Sequence, residues 1–423
     1  MQIKTLEELQ SADERSLAFT PLGLGHMEAA DAAEFQQQVV KAIEISSEVA
    51  ASTRDAFERL RTVYAHGVLC YETYTLVHDH ALLLVEHALR DRLLEHYNHR
   101  IPLVDKRGQT ILIEADDYET VIQACRRTPS LLVGDNGPIL PFRGMLSHLT
   151  GWARCVGYFR GQQNRHQEQT LGDLRNMVAH GSADLTSPVS AASELRAAAE
   201  IINQLWGYPT PNGKYYPAPR PRHILAIGWA GPGNIQVVDA HRLADEPGLH
   251  RDRNYVIVRA VADDPDLFDF DSRYEQTAYE AEWLWGPGSV DDAAAWMLAE
   301  SPVVDERDHL DRVFAIRSHA GYLEAPQRPE IAINADPAGQ AGEWFVVRAD
   351  FPAQARVHVR NRLTTEHCQE SGACDTCAAE LLAHGTYHDV REQLSHATTR
   401  TIHRLPPDVT VPSHRAHRRT PIR

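Results

Sequence analysis

The sequence predicts an α+β protein, with an N-terminal helical domain that carries a small β-hairpin insertion and a C-terminal α+β domain with a mostly antiparallel sheet. Three observations predict this class. Apolar residues recur at helical spacing as far as Trp206. Residues 207–222 then contain five prolines and two glycines, which cannot continue a helix. Beyond them, short apolar runs alternate at the two-residue period of strands.

Composition limits the class of protein and the partners that it can bind. The chain has 423 residues, of which 43% are hydrophobic and 24% charged, as in ordinary soluble globular proteins. This length favours two or three domains. The formal net charge of -16 excludes a surface that binds nucleic acid everywhere, so any such contact must be local and basic.

The chain divides into four predicted segments. Residues 1–206 form the helical domain with an N-terminal helical extension, and residues 207–222 form an extended linker. Residues 223–400 form the α+β domain, of unknown role, and residues 401–423 a basic tail that we expect to be disordered. The N-terminus lacks the apolar core of a signal peptide, and no run approaches a membrane span. We therefore expect a cytoplasmic protein with no membrane partner and no structural disulfides.

Periodicity places the elements of the N-terminal part. Ser187 is a predicted N-cap, and Asp105–Gly108 a predicted hairpin turn. The predicted helices are Met27–Val49, Phe57–Val63, Tyr74–Leu94, Tyr118–Arg127, Phe142–Arg160 and Pro188–Trp206, and the hairpin strands are Ile101–Val104 and Thr110–Ile113.

The C-terminal part is predicted to mix strands and helices. Its predicted strands are His223–Ala230, Asn234–Asp239, Tyr255–Val261, Glu330–Ile333, Trp344–Val347 and Arg356–Val359, and its predicted helices are Tyr274–Leu284 and Val290–Ala299.

The segment Leu171–Gly181 is the strongest candidate for chemistry in the helical domain. Its apolar residues recur at helical spacing, and Gly181 is suited to end the helix. His180 therefore lies in the last turn, where the helix dipole keeps its ring near its titration range at neutral pH. Arg175 starts about 140° from His180 around a regular helix. The two side chains converge only if the helix ends early or if a second copy of it packs alongside.

The run Arg-Asn-x-x-Ala-His-Gly, formed by Arg175, Asn176 and His180, resembles the signature of the HEPN superfamily of small helical domains. The predicted helices Tyr74–Leu94 and Phe142–Arg160 are similar to the long helices of such domains. The resemblance covers about residues 64–206 and implies a metal-independent endoribonuclease of the toxin or phage-defence kind. It implies no cofactor for catalysis and a homodimer through the helix that carries Arg175 and His180.

The roles that the resemblance implies follow from the chemistry of RNA cleavage. The RNA supplies its own nucleophile, the 2'-hydroxyl, and the products end in a 2',3'-cyclic phosphate and a 5'-hydroxyl. His180 would transfer protons, and Arg175 would bind the phosphate oxygens. Asn176 would position one or the other by hydrogen bonds. The C-terminal domain would then be a sensor or would bind a partner or ligand that the sequence does not identify.

Two alternatives stay open. The helical domain is a non-catalytic HEPN dimerisation or nucleic-acid- or nucleotide-binding module attached to a sensor or partner-binding domain, in which case Arg175 and His180 belong to a structural network. Otherwise the C-terminal half is the working part and the helices are its scaffold.

A cysteine cluster marks the C-terminal half. Cys374 and Cys377 form a Cys-x-x-Cys pair, and Cys368 precedes them by a short loop. Three thiolates with one histidine from His367, His384 or His388 make a tetrahedral structural zinc site, for which we name His384. Because the spacing matches no standard zinc module, an inert or redox-sensitive thiol cluster is the alternative.

Overall fold

The fold is described from a computed structural model of the chain. The residues described are 3–19, 25–134, 137–165, 167–168, 185–211, 213–229, 235–243, 252–261, 282–307, 310–324, 326–327, 329–335, 337–365, 367–369, 372–398 and 420–421.

The chain divides into two compact units. Unit 1 comprises residues 1–160 and 166–218, and unit 2 comprises residues 161–165 and 219–423. The division at residue 218 falls inside the proline-rich stretch 207–222. The fold is mixed α and β with an N-terminal helical region, and every strand ladder among the described residues is antiparallel.

Unit 1 contains helices and a small sheet. Its helices are α1 (Leu6–Gln10), α2 (Glu14–Leu17), α3 (Ala29–Lys41), α4 (Ala51–Ala65), α5 (Glu72–His96), α6 (Tyr118–Cys125), α7 (Leu146–Cys155) and α8 (Pro188–Leu205). Its strands are β1 (Arg100–Val104), β2 (Thr110–Glu114), β3 (Ser130–Leu132) and β4 (Ile139–Pro141).

Helix α5 is the centre of unit 1, packed against α4, α7 and α8. Its fully buried side chains include Tyr74, Val77, Ala81, Ala88, Leu89 and Leu93. Ser187 caps α8 as predicted, since its hydroxyl accepts a hydrogen bond from the Ser190 amide, and Pro188 occupies the first turn.

The predicted hairpin is confirmed, but the sheet that contains it is larger than predicted. Strands β1 and β2 pair across the turn at Asp105–Gly108. Strands β3 and β4 extend the sheet to the order β2-β1-β3-β4. The prediction of an all-helical N-terminal domain with one hairpin is wrong to that extent, because β3 and β4 are too short to show an alternating pattern in the sequence.

Unit 2 contains two sheets and the helices that cover them. Its strands are β5 (Arg220–Trp229), β6 (Ile235–Asp239), β7 (Asn254–Val261), β8 (Glu282–Gly288), β9 (Asp305–Arg307), β10 (Arg312–His319), β11 (Tyr322–Leu323), β12 (Glu343–Ala349), β13 (Gly372–Cys374), β14 (Ala379–Gly385) and β15 (Thr420–Pro421). Its helices are α9 (Val290–Glu300), α10 (Pro329–Ala332), α11 (Pro352–Thr364) and α12 (Tyr387–Thr398).

The first sheet of unit 2 has the strand order β6-β5-β7-β8, with β9 paired to the start of β5. The second has the order β13-β14-β12-β10-β11-β15. In β12, Trp344 and Val346 pack with α12 on one face, whereas Phe345 and Val347 pack with α11 on the other. This alternation is why a run of consecutive apolar residues forms a strand buried on both faces.

Two predicted strands of unit 2 are wrong, whereas the helix predicted at Val290–Ala299 is confirmed as α9. Arg356–Val359, predicted as a strand, lies inside helix α11, and Glu330–Ile333 overlaps helix α10. Of the predicted helix Tyr274–Leu284, only the last residues are described, and they belong to strand β8. Both strand errors come from reading a short window, because four residues do not separate the two periods.

Two predicted regions fall outside the described residues. The first is the segment Leu171–Gly181 with Arg175, Asn176 and His180, and the second is most of the tail 401–423, of which Thr420 and Pro421 are described, as β15.

Within the described ranges, no helix is both long enough and apolar enough to cross a lipid bilayer.

Candidate metal centre

Helix α11 brings a histidine into the core of unit 2. The helix starts at Pro352 and buries Ala355, His358 and Val359 on the face that meets β12. These positions follow the three- and four-residue spacing of one helical face. His358 consequently lies fully buried, with 0% of its surface exposed, beside the apolar side chains of the sheet.

Three thiols converge beside this histidine. Cys368 lies in the segment after α11, Cys374 ends β13, and Cys377 lies in the turn before β14. The Cys368 Sγ atom is 3.4 Å from the Sγ atoms of both Cys374 and Cys377. One ring nitrogen of His358 and the three sulfurs all lie within 4.8 Å of one another. The pairing of β13 with β14 fixes the two ends of the turn that contains Cys377.

These separations fit a tetrahedral metal ion. With metal–sulfur bonds of about 2.3 Å and metal–nitrogen bonds of about 2.0 Å, tetrahedral ligands lie roughly 3.5–3.8 Å apart. The 3.4 Å sulfur separations are close to that range. Three cysteines and one histidine are a common ligand set of structural zinc.

The surroundings of His358 also require explanation, because neither of its ring nitrogens has a hydrogen-bond partner among the described residues. Burial, with smaller contributions from Arg362 and His367, lowers the pKa of His358 to about 4. The ring is therefore neutral, which is the form that binds a metal. A buried polar atom without a partner costs about 1–3 kcal/mol, and a metal ion would remove that cost at one nitrogen.

The last turn of α11 holds the cysteine segment in place. The Arg362 Nη1 donates to the carbonyl oxygens of Cys368 and Gln369, each at 2.7 Å. The Gln369 amide returns a hydrogen bond of 2.9 Å to the carbonyl of Arg362. The Asn361 Nδ2 donates to the Cys377 sulfur at 3.4 Å. Outer contacts of this kind orient metal ligands and fix their charge.

Two further features of the cysteines, the backbone conformation of Cys368 and the pKa values of two thiols, bear on their chemical role. Cys368 has φ 65°, a left-handed conformation that costs a non-glycine residue about 1–2 kcal/mol. Burial raises the pKa of Cys368 and of Cys377, so neither thiol resembles the low-pKa thiolate of a redox-reactive cysteine. The raised pKa values argue against redox-reactive thiolates, and metal binding would require both thiols to lose their protons.

The histidine of this group differs from the predicted one. His384 lies outside the group, where its Nε2 is 3.2 Å from Arg362 Nη2 and its Nδ1 is 3.8 Å from Glu343 Oε1. His388 is exposed at the start of α12. His367 is closer, since its Nε2 is 3.3 Å from the Cys374 sulfur and 3.6 Å from the Cys377 sulfur, but its side chain is exposed.

Comparison with known proteins returns no match, whether with protein families, with curated proteins or with solved structures. The chemistry of this chain must therefore be argued from its own residues.

Sequence reasoning found the three cysteines and missed His358. The histidine lies ten residues before Cys368, within the run predicted as a strand. Read as a helix from Pro352, the same run places His358 on the apolar face with Ala355 and Val359. A histidine on the buried face of a helix that leads into a cysteine cluster is the signal that would have identified it.

Residues on either side of the predicted catalytic segment Leu171–Gly181 in the sequence are described, and they belong to unit 1. Before the segment, Glu168 forms a salt bridge of 2.6 Å with Arg154 at the end of α7 and accepts from the Tyr216 hydroxyl at 3.0 Å. After it, the Thr186 amide donates to the Thr75 hydroxyl of α5 at 2.9 Å. Both flanks of Leu171–Gly181 are thus attached to α5 or α7.

Proposed function

We propose that unit 2 binds one zinc ion through Cys368, Cys374, Cys377 and His358, and that the ion is structural. The observation that carries this proposal is the buried imidazole of His358, which lies beside three thiols and whose nitrogens have no hydrogen-bond partner in the described part of the chain. An inert thiol cluster does not account for a neutral imidazole buried beside it. Four protein ligands leave no open position for substrate, which is typical of structural zinc.

The zinc ion would join two elements that are otherwise separated in the chain. His358 belongs to α11, whereas Cys374 ends β13 and Cys377 lies in the turn before β14. Among the described residues from Cys368 to Cys377, strand β13 is the regular element, and Cys368, Cys374 and Cys377 make the contacts with the apolar core of unit 2. Zinc binding would therefore contribute to the folding free energy of unit 2.

The test is metal analysis of purified protein with matched histidine variants. We expect one zinc per chain in the wild type, and its loss in His358→Ala and in Cys374→Ser. His384→Ala is the control, because His384 in β14 contacts Arg362 beside the site but lies outside the group. Wild-type protein that is folded and free of zinc after expression with zinc would refute the proposal. Zinc lost from His384→Ala or His367→Ala but kept by His358→Ala would refute the assignment of His358.

We also propose that the chain is a metal-independent endoribonuclease of the HEPN type. The support is the sequence resemblance of Arg175, Asn176 and His180 to the HEPN signature, together with the attachment of both flanks of that segment to α5 or α7. The zinc site would have no part in the reaction.

In this proposal the roles follow from elementary chemistry. Arg175 stabilises the charge that develops on the phosphate oxygens, and His180 transfers the proton of the 2'-hydroxyl or of the leaving group. Asn176 positions one of these groups. Two copies of the segment in a homodimer would supply both side chains to one cleft.

The test is incubation of the full chain with total RNA in buffer without added divalent metal ions, followed by analysis of the cleaved ends. We expect ends with a 2',3'-cyclic phosphate, and loss of cleavage in Arg175→Ala and His180→Ala. Arg196→Ala, an exposed residue of α8, is the matched control. Cleavage that persists undiminished in both variants, or no cleavage by the wild type, would refute this proposal and leave the zinc proposal untouched.

A further inference from the structure

The small sheet of unit 1 ends in a strand whose outer edge is open. Strand β2 is the first in the order β2-β1-β3-β4, and among the described residues no strand pairs with its outer side. Its sequence is Thr-Ile-Leu-Ile-Glu, yet Ile111 is 42% and Leu112 53% exposed. An exposed, apolar edge strand is a template for pairing with another chain.

The hydrogen bonds of the hairpin show which backbone groups of β2 face outward. At one end the Asp105 amide donates to the Gln109 carbonyl, and at the other the Ala115 amide donates to the His99 carbonyl, each at 2.9 Å. In an antiparallel ladder, bonded and non-bonded pairs alternate. The pair of Pro102 with Leu112 is therefore non-bonded, as a proline without an N–H requires.

It follows that three residues of β2 direct their backbone N–H and C=O groups away from β1. They are Thr110, Leu112 and Glu114, and all three are exposed. Natural proteins protect such an edge with an internal lysine, a proline or a bulge. Strand β2 has none of these, since its one charged residue is Glu114 at its end and its register with β1 is regular.

We propose that two copies of this chain pair through β2, antiparallel and about a two-fold axis at Leu112. In that register Leu112 faces Leu112 of the second copy, Ile111 faces Ile113, and Thr110 faces Glu114. The outward groups of both strands would then form about six hydrogen bonds across the axis. A two-fold interface requires such a self-complementary surface.

Charge favours the same arrangement. The basic pair Lys106 and Arg107 precedes β2, and the acidic pair Asp116 and Asp117 follows it; all four are exposed. An antiparallel alignment places the basic end of one strand beside the acidic end of the other. A parallel alignment would place like charges together, which is unfavourable. The interface thus favours a second copy in one orientation, despite the overall net charge of -16.

The decisive experiment is amide hydrogen exchange of the full chain, resolved to single residues and measured across a range of protein concentrations. We expect the amides of Leu112 and Glu114 to exchange more slowly as the protein is concentrated. The Ile111 and Ile113 amides point to β1 and serve as an internal control, because their protection does not depend on concentration. Exchange at Leu112 that is the same at all concentrations would overturn the proposal.

Variants provide the second arm, read by sedimentation velocity. Leu112→Lys places two like charges at the axis and should raise the dissociation constant of this dimer at least about tenfold. Ile139→Lys is the matched control, since it is 55% exposed on β4 at the opposite edge of the same sheet. A monomeric wild type, or self-association that Leu112→Lys leaves unchanged, would overturn the proposal. Self-association lost only in variants of Arg175 or His180 would do the same.

Discussion

A single buried side chain, His358, carries the argument for the metal centre. A neutral imidazole with both nitrogens unpartnered destabilises a fold, by about 1–3 kcal/mol for each group left without a bond. The same residue stabilises the fold if one nitrogen binds zinc. Whether His358 stabilises or destabilises the fold therefore depends on whether a zinc ion is bound.

We therefore predict that one substitution at His358 changes the free energy of unfolding in opposite directions without and with zinc. In zinc-free protein, we expect His358→Leu to raise the free energy of unfolding by about 1 kcal/mol, because an unpaired polar group is replaced by an apolar one of similar volume. In zinc-loaded protein, we expect the same substitution to lower it. Urea unfolding of unit 2 with and without a chelator measures both values. Destabilisation of equal size in the two conditions would contradict a metal-binding role for His358.

At the scale of elements, helix α11 carries one proposed zinc ligand, His358, and contacts another, Cys377. Asn361 lies one turn after His358, and its amide donates to the Cys377 sulfur at 3.4 Å. We expect Asn361→Ala to weaken zinc binding about 10- to 100-fold, because hydrogen bonds to metal ligands commonly have effects of that size. Competition with a chromophoric chelator measures the affinity. Val357→Ala, which alters an exposed residue of the same helix, should leave the affinity unchanged; equal affinities in the two variants would contradict the role of Asn361.

The residue that caps helix α2 leads to a prediction about how stability depends on pH. The Asp13 carboxylate caps α2, accepts from the side chain of Arg15 and accepts from the Tyr71 amide at 3.2 Å. These bonds, that with Arg15 foremost, lower the pKa of Asp13 from 3.8 to about 2. A carboxylate with a lowered pKa stabilises the fold above its ordinary pKa, and this contribution disappears as the pH falls from about 4 to about 2.

We therefore expect Asp13→Asn to lower the free energy of unfolding at neutral pH by about 1 kcal/mol, with allowance for solvent screening of the exposed Arg15. The loss should shrink as the pH falls through the range from about 4 to about 2. Urea unfolding at several pH values measures it. A difference that is constant over this range would contradict the account, and Glu14→Gln, beside it on the exposed surface, is the control.

The elements also show what the sequence can and cannot predict. Ser187 and Pro188 correctly predict the start of α8, and the long helical periodicity correctly predicts α5. Arg356–Val359 alternates like a strand, yet the fold uses the wider pattern from Pro352 to Leu363, because burial of one helical face outweighs a four-residue alternation. The cysteine spacing therefore predicted three ligands, whereas the fourth depends on tertiary contacts that spacing does not encode.

At the scale of the whole molecule, each unit has its own buried core, and the four proposed zinc ligands all belong to unit 2. The sequence placed the change in architecture at residues 207–222, and the division between the units falls there because prolines interrupt the helical pattern. It did not predict that residues 161–165 belong to unit 2, where the Gln162 and Gln163 amides donate to Asp350 at 3.0 and 2.9 Å.

From this division we expect two calorimetric transitions, of which a chelator shifts one. Removal of a tightly bound ion costs several kcal/mol, which corresponds to roughly 10 °C for a domain of this size. Cys374→Ser should shift the same transition in the absence of chelator. Equal displacement of both transitions, or of neither, would contradict a structural ion confined to unit 2.

X-ray absorption at the zinc edge of the purified full chain tests the central claim most directly, because it reports the atoms bound to the ion. We expect a shell of three sulfur atoms at about 2.3 Å and one nitrogen at about 2.0 Å, with the nitrogen contribution altered in His358→Ala and unchanged in His384→Ala. A shell of oxygen and nitrogen atoms alone would contradict the metal centre described here.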